Sequence, residues 1–209
     1  MPARSIDPFN ATKDPLPMIR LHAMLALALV ALPTLLAGCV PMLVAGAAGT
    51  ALVATDRRSA GAQLDDTTVE GKIGQYARSR WGDRAHLSVT SYNGVVLLTG
   101  EVPDEAGKTA MTEFAKGVDR VRSVQNEIVV APPSEIGSRT NDTYLTSVVK
   151  TRFLEATDRF SATHVKVVTD RGVVYLMGLV RRAEADAAAQ IAASTKGVAR
   201  VVKVVEYID

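Results

Sequence analysis

Asn93-Gly94-Val95-Val96-Leu97-Leu98-Thr99-Gly100 returns 78 residues later as Arg171-Gly172-Val173-Val174-Tyr175-Leu176-Met177-Gly178. The flanks return with it. Lys116-Gly117-Val118 followed by Arg120-Val121 becomes Lys196-Gly197-Val198 followed by Arg200-Val201 at a shift of 80, and Asp66-Thr67 becomes Asp142-Thr143 at a shift of 76. Shifts that drift by two residues mark insertions in loops, where a fold tolerates them. The chain carries one module twice.

Each copy reads as helix, strand, strand, helix, strand. Thr67 and Glu70 form a capping box ahead of a stripe of Val69, Ile73 and Ala77; in the second copy Asp142 reads as the cap before Leu145, Val149 and Phe153. Trp81 continues the first stripe and is expected to close that core. Leu87 and Val89, then Val165 and Val167, alternate with polar neighbours as strands with one wet face do. His86 and His164 fall at matching positions on that polar side, with no cysteine or carboxylate cluster to make a metal site of either. Asn93-Gly94 and Arg171-Gly172 turn the chain into a strand apolar enough for a sheet centre. Second helices are expected over residues 104–116 and 183–196, with Gly117 and Gly197 as left-handed caps, and third strands over 121–130 and 201–208. The fold class is α+β: two tandem domains at 65–131 and 142–209, each a three-stranded sheet packed by two helices. Pro132-Pro133 and the polar residues to Asn141 form the linker.

Ahead of the repeat, Leu36-Ala37-Gly38-Cys39 closes an apolar run from Ala23 that follows Arg20 and His22, and Cys39 is the chain's single cysteine. A lone cysteine behind small residues reads as a modification site rather than half of an internal disulfide. The stretch resembles the lipobox of bacterial lipoproteins, which implies that Cys39 is lipidated, carries palmitate and becomes the mature N-terminus. The alternative is a membrane-spanning helix over residues 23–54. Pro33 and Pro41 interrupt that run and Gly46 and Gly49 weaken it, where a span needs about 20 unbroken apolar residues. Residues 1–38 are thus a signal segment, with Met18 the expected start because four prolines precede it, and residues 39–64 are a lipidated Gly/Ala-rich tether.

The element order, the Gly-Val-Val-x-Leu-x-Gly hairpin and the later Gly-Val-x-x-Val resemble the BON domain of bacterial cell-envelope proteins. Ala54-Thr55-Asp56-Arg57-Arg58-Ser59, Gln63, Asp65-Asp66, Asn141-Asp142-Thr143 and Met177-Gly178-Leu179-Val180 narrow the resemblance to dual BON-domain outer-membrane lipoproteins. What this implies is an envelope-integrity protein anchored to the periplasmic face of the outer membrane, which binds anionic phospholipid through its second domain. In such proteins an aromatic near the start of the third helix of the chain, usually Trp, touches lipid; here it is Tyr144. Val40 after the cysteine fits their outer-membrane sorting.

The residues themselves point to the second module too. On a helical wheel Tyr144 lies 100° from Leu145, and Val148 sits at the edge of the core stripe, whereas the first copy has Thr68 and Lys72 at these places. Residues 66–131 carry 8 basic and 9 acidic side chains, and 142–209 carry 10 and 8, so the second module alone is positive. The lipid-facing set is Tyr144, Leu145, Val148 and Arg152, with Arg181 and Arg182 as a solvated basic pair within reach of lipid phosphate.

Setting residues 1–38 aside leaves 21 basic and 20 acidic residues, too balanced for nucleic-acid binding. No nucleophile is spaced to a base, neither hairpin is followed by the Lys-Ser/Thr of a phosphate loop, and no enzyme activity or cofactor is expected. The rival function is a tethered adaptor or chaperone-like factor that docks on outer-membrane assembly machinery through an exposed sheet or its edge strands.

Overall fold

The structure is a computed structural model and describes residues 56–209. Cys39, the signal segment and Met18 lie outside the described residues. The first module comprises α1 (Ala60–Trp81), β1 (His86–Tyr92), β2 (Val95–Val102), α2 (Glu105–Lys116), β3 (Ser123–Asn126) and β4 (Val129–Val130). The second comprises α3 (Ile136–Glu155), β5 (Lys166–Asp170), β6 (Val173–Val180), α4 (Arg182–Ala193) and β7 (Arg200–Tyr207). In both, the hairpin strands pair antiparallel and the last strand returns parallel to the central one.

Alternation along the central strands builds the molecule in layers. Val96, Leu98 and Val102 of β2 face α1 and α2, where they pack with Val69, Ile73, Trp81 and Met111. Val174, Leu176 and Val180 of β6 do the same against α3 and α4. The opposite faces meet each other: Tyr92 and Leu97 of one sheet pack with Tyr175 and Met177 of the other, flanked by Val95, Val168, Val173, Leu179, Val202 and Val204. Helices, sheet, sheet and helices stack in that order. Both central strands are therefore covered on two sides, which is why they read as nearly continuous apolar runs.

Polar contacts tie the rim of this seam. Asn93 Nδ2 donates to Glu206 Oε1 (2.8 Å), Arg122 pairs with the same carboxylate, and Lys166 Nζ lies 3.1 Å from Glu70. Asp56, Arg57 and Arg58 form a strap across one end. Arg57 donates to Leu179 O (2.8 Å) and to both oxygens of Glu184 (2.7 and 2.8 Å), while Arg58 reaches Asp66 (2.9 Å) and lies 3.9 Å over the Tyr92 ring.

Several expected boundaries move. Part of the 39–64 tether is this strap and the first turn of α1, which is capped by Ser59, whose Oγ accepts from Ala62 N–H (3.1 Å). Thr67 instead donates to Gln63 O, and Glu70 accepts from Ser91 N–H, so the expected capping box is absent. Asp142 is not a cap, and both it and its first-module counterpart Asp66 are buried clamps. Asp66 accepts from Ser91 Oγ (2.6 Å), Asn93 N–H (2.7 Å) and Gly94 N–H (2.8 Å), and Asp142 accepts from Arg171 and Gly172 N–H (both 2.8 Å). Each carboxylate holds its own hairpin turn, a type I′ turn in which Asn93 (φ 52°), Gly94 (φ 76°), Arg171 (φ 51°) and Gly172 (φ 74°) are left-handed.

α3 begins at Ile136, inside the stretch expected as linker. Gly117 stays right-handed at φ −82°, and Arg120 (φ 72°) takes the left-handed place in that turn; Gly197 is left-handed (φ 95°) but lies beyond the end of α4, which stops at Ala193. The first module's third strand breaks in two because Asn126 bonds Lys108 O and Thr112 through Nδ2 and accepts from Ile128 N–H, which turns Ile128 wholly inward.

Candidate membrane-facing site

On α3 the core stripe of Leu145, Val149 and Phe153 is sealed, and the opposite face is bare. Taking 100° per residue, Ile136, Thr140, Tyr144, Ser147, Thr151 and Leu154 fall within a strip about 80° wide. Ile136, Tyr144 and Leu154 are 78%, 64% and 65% exposed, so three large apolar side chains lie on one outward line. No residue in the strip is charged. Its hydroxyls are spent within the helix: Thr140 donates to Ile136 O (2.9 Å), Ser147 to Thr143 O (3.0 Å) and Thr151 to Ser147 O (3.0 Å). Taking such hydroxyls out of water leaves no donor unmet, which removes the main cost of burying them. Arg139 and Lys150 border one side of the strip and line a cleft of about 430 Å³ against the first module.

The matching positions of α1 are Ala60, Leu64, Thr68, Gly71, Gln75 and Arg78. One large apolar residue and a charge stand there in place of three apolar residues and none.

The residues foreseen for lipid contact separate in the structure. Tyr144 is exposed on the outward strip, and half-buried Val148 sits at its side. Leu145 is 1% exposed, packed beside Gly197, and cannot meet lipid. Arg152 is turned to α4, donating to Ile191 O (2.9 Å), Thr195 Oγ1 (2.6 Å) and Ser194 Oγ (3.0 Å), so it staples two helices instead of facing a membrane. Since Gly197 lies by Leu145, Ile191 by Arg152 and Gln190 by Arg159, α4 runs antiparallel to α3. Its N-terminus, with exposed Arg181 and Arg182, is thus at the far end from Tyr144. Arg182 stacks on Tyr207 there, 4.4 Å from the ring centre.

BON-domain patterns match residues 65–132 and 141–209. The chain is 40% identical over 176 residues to the outer membrane lipoprotein DolP of Haemophilus influenzae, covering 83% of this chain and 91% of that one. The chain belongs to the BON-domain family. It is a DolP-like dual-BON lipoprotein of the outer membrane. A 21 kDa hemolysin of Actinobacillus pleuropneumoniae is 35% identical across 74% of this chain and 80% of its own, and the osmotically-inducible protein Y of Escherichia coli is 37% identical across 55% and 58%. No helix among the described residues is long and apolar enough to cross a membrane.

Three residues of the second BON domain carry no mark in the sequence pattern. Arg139 lay in the stretch taken as linker, so its place on α3 was hidden. Ile136 lies in the same stretch, and Leu154 falls opposite the core stripe, a place that only the early start of α3 at Ile136 ties to a second apolar end of the strip.

Proposed function

We propose that this lipoprotein binds anionic phospholipid through the outward strip of α3 in its second BON domain and so supports the integrity of the cell envelope, without catalysis. The observation that carries the reading is the combination of three exposed apolar side chains with hydroxyls already bonded to their own helix. Such a face can enter the interfacial region at low cost, with the Tyr144 hydroxyl left at headgroup level. Arg139 and Lys150 then supply attraction of about 1 kcal/mol each to an anionic surface. Leu145, Arg152, Arg181 and Arg182 take no part in this face.

Co-sedimentation of the chain from Asp56 onward with vesicles tests it. Binding to anionic but not neutral vesicles, lost in Tyr144→Asp and weakened in Arg139→Ala/Lys150→Ala, is the expected outcome. Equal failure of the wild type on both vesicles would remove the reading and leave the lipid on Cys39 as the membrane contact.

A second reading, a tethered adaptor for outer-membrane assembly machinery, is favoured by a different surface. The sheet faces are closed on each other, so the expected exposed sheet is not available. A groove of about 720 Å³ between α1 and α2 is, lined by Lys72, Gln75, Glu113 and the stacked rings of Tyr76 and Phe114, 3.8 Å apart. Cross-linking from a photoreactive residue at Gln75 in intact envelopes would identify an assembly component if that reading holds.

A further inference from the structure

The repeat supplies its own control for one feature of the seam. Across the shifts of 76 and 78 residues, Glu70 corresponds to Thr146 and Lys166 to Ser88. Where α1 meets β5, Lys166 Nζ lies 3.1 Å from Glu70 Oε1, and this ion pair bridges the two domains. At the related place, between α3 and β1, two hydroxyls replace the charges and a cleft of about 430 Å³ lies open between the domains. That volume falls in the range that holds a small ligand. The fold can bridge this position, so the opening belongs to these residues and is not forced by the fold.

The wall of the cleft on α3 is basic. Arg139, Thr143, Thr146, Ser147 and Lys150 line it, and at 100° per residue they occupy a stripe about 100° wide directly beside the outward strip, with Ser147 common to both. The same positions of α1 are Gln63, Thr67, Glu70, Gly71 and Gly74, without a cation. Among the described residues Arg139 and Lys150 form no ion pair, so both are open to an anion. His86, Ser88 and Thr99 of the first domain and Thr169 of β5 complete the lining. Thr169 Oγ1 accepts from Thr146 Oγ1 (2.7 Å), which leaves the Thr169 hydroxyl proton to donate. Two carboxyls share the cleft. Both oxygens of Asp142 are taken up by Arg171 and Gly172 N–H. Burial, then the charges of Glu101 and Asp142, raise the Asp170 carboxyl, so it holds its charge less firmly than an ordinary aspartate.

We propose that this two-domain cleft seats the phosphate of a membrane lipid, held by Arg139 and Lys150 of the second BON domain and by the Ser88 and Thr99 hydroxyls of the first, while the acyl chains lie along the strip of Ile136, Tyr144 and Leu154. The site rests on the lipid reading above and puts a discrete headgroup seat, with the first domain as one of its walls, in place of diffuse attraction.

Full-length lipidated protein in phosphatidylcholine vesicles, with and without phosphatidylglycerol, separates the seat from the strip. Iodination of Tyr144, against Tyr207 at the far end, reads the strip; acetylation of Lys150, against Lys72 in the groove of the first domain, reads the cleft, both by mass spectrometry. Tyr144 and Lys150 should both become protected as phosphatidylglycerol is added. Ser88→Lys/Thr146→Glu copies the Lys166–Glu70 pair into the cleft at unchanged net charge. Tyr144 protection should survive in it, and Lys150 protection should fall about tenfold, the effect of losing one hydrogen bond to a charged group. Asp170→Asn, which removes a charge that the phosphate must face, should strengthen Lys150 protection. An unprotected Tyr144 in the wild type would remove the lipid reading and this site with it. A protected Tyr144 with Lys150 protection equal in wild type and double variant would leave the strip and overturn the seat, as would an Asp170→Asn variant no better protected than the wild type. Inorganic phosphate protecting Lys150 in neutral vesicles as well as phosphatidylglycerol does would overturn the lipid source and make the ligand a soluble phosphate.

Discussion

Asp66 and Asp142 show how far one residue can be read. Asp142, near the start of a helix pattern, reads as a cap because caps accept backbone N–H groups, and both it and Asp66 do accept them, but from a hairpin 27 to 30 residues away. The chemistry was legible and its partner was not. Asp142→Ala leaves two part-buried N–H groups unpaired and should cost about 2 kcal/mol in urea unfolding. Asp66→Ala should cost at least as much, since Ser91 and Arg58 are stranded as well. Burial opposes the Asp66 charge, but the bonds from Ser91, Gly94, Asn93 and Arg58 outweigh it and hold the carboxyl below its usual value of 3.8. Its contribution is therefore complete above that value and fades as pH falls through the lower folded one. Acid titration of unfolding should show that loss in the wild type and not in Asp66→Asn.

At the scale of elements, helix stripes and hairpins were readable because burial imposes a period on a single chain segment. Ends were not. α1 and α3 begin earlier than their patterns suggest because their first turns carry no core residue to mark them; the earliest buried positions are Asp66 and Asp142. The break between β3 and β4 depends on where the Asn126 side chain finds its partners in α2, which no local pattern records. Glycines in the central strands carry a further demand. A Cβ at Gly100 would sit 2.0 Å from His86 O at the start of β1, and one at Gly178 2.3 Å from His164 O in the 3-10 turn just ahead of β5, so in both modules the backbone passes the central strand where only hydrogen fits. Gly100 is also left-handed at φ 106°. Both alanine variants should lose stability by about 3 kcal/mol or more, with Gly100→Ala the worse by thermal unfolding because strain adds to the clash.

For the whole molecule, the signal of two-sided burial was present in the apolar runs of β2 and β6, but one domain alone explains such runs as central strands, and the partner sheet became evident only with both modules in place. The seam that results carries opposite proton linkages at its two ends. At the strap, the hydrogen bonds from Arg57 hold the Glu184 carboxyl at about 2, from an ordinary 4.5, against the cost of its burial. A depressed value means that the strap's contribution is intact above about pH 4.5 and is lost as pH falls toward 2. At the far end Asp170, which lines the cleft between the domains, works the other way: burial and then the charges of Glu101 and Asp142 raise its carboxyl, so it weakens the seam as pH rises above the raised value. Docking should then be tightest in mild acid, with a loosening limb on each side. Peroxide oxidation of Met177, which is buried between the two sheets, read by mass spectrometry from about pH 3 to pH 8, should trace a minimum. Glu184→Gln or Arg57→Ala should remove the acid limb and leave the alkaline one, while Asp170→Asn should do the reverse. A single limb in the wild type would mean that one end alone governs the seam.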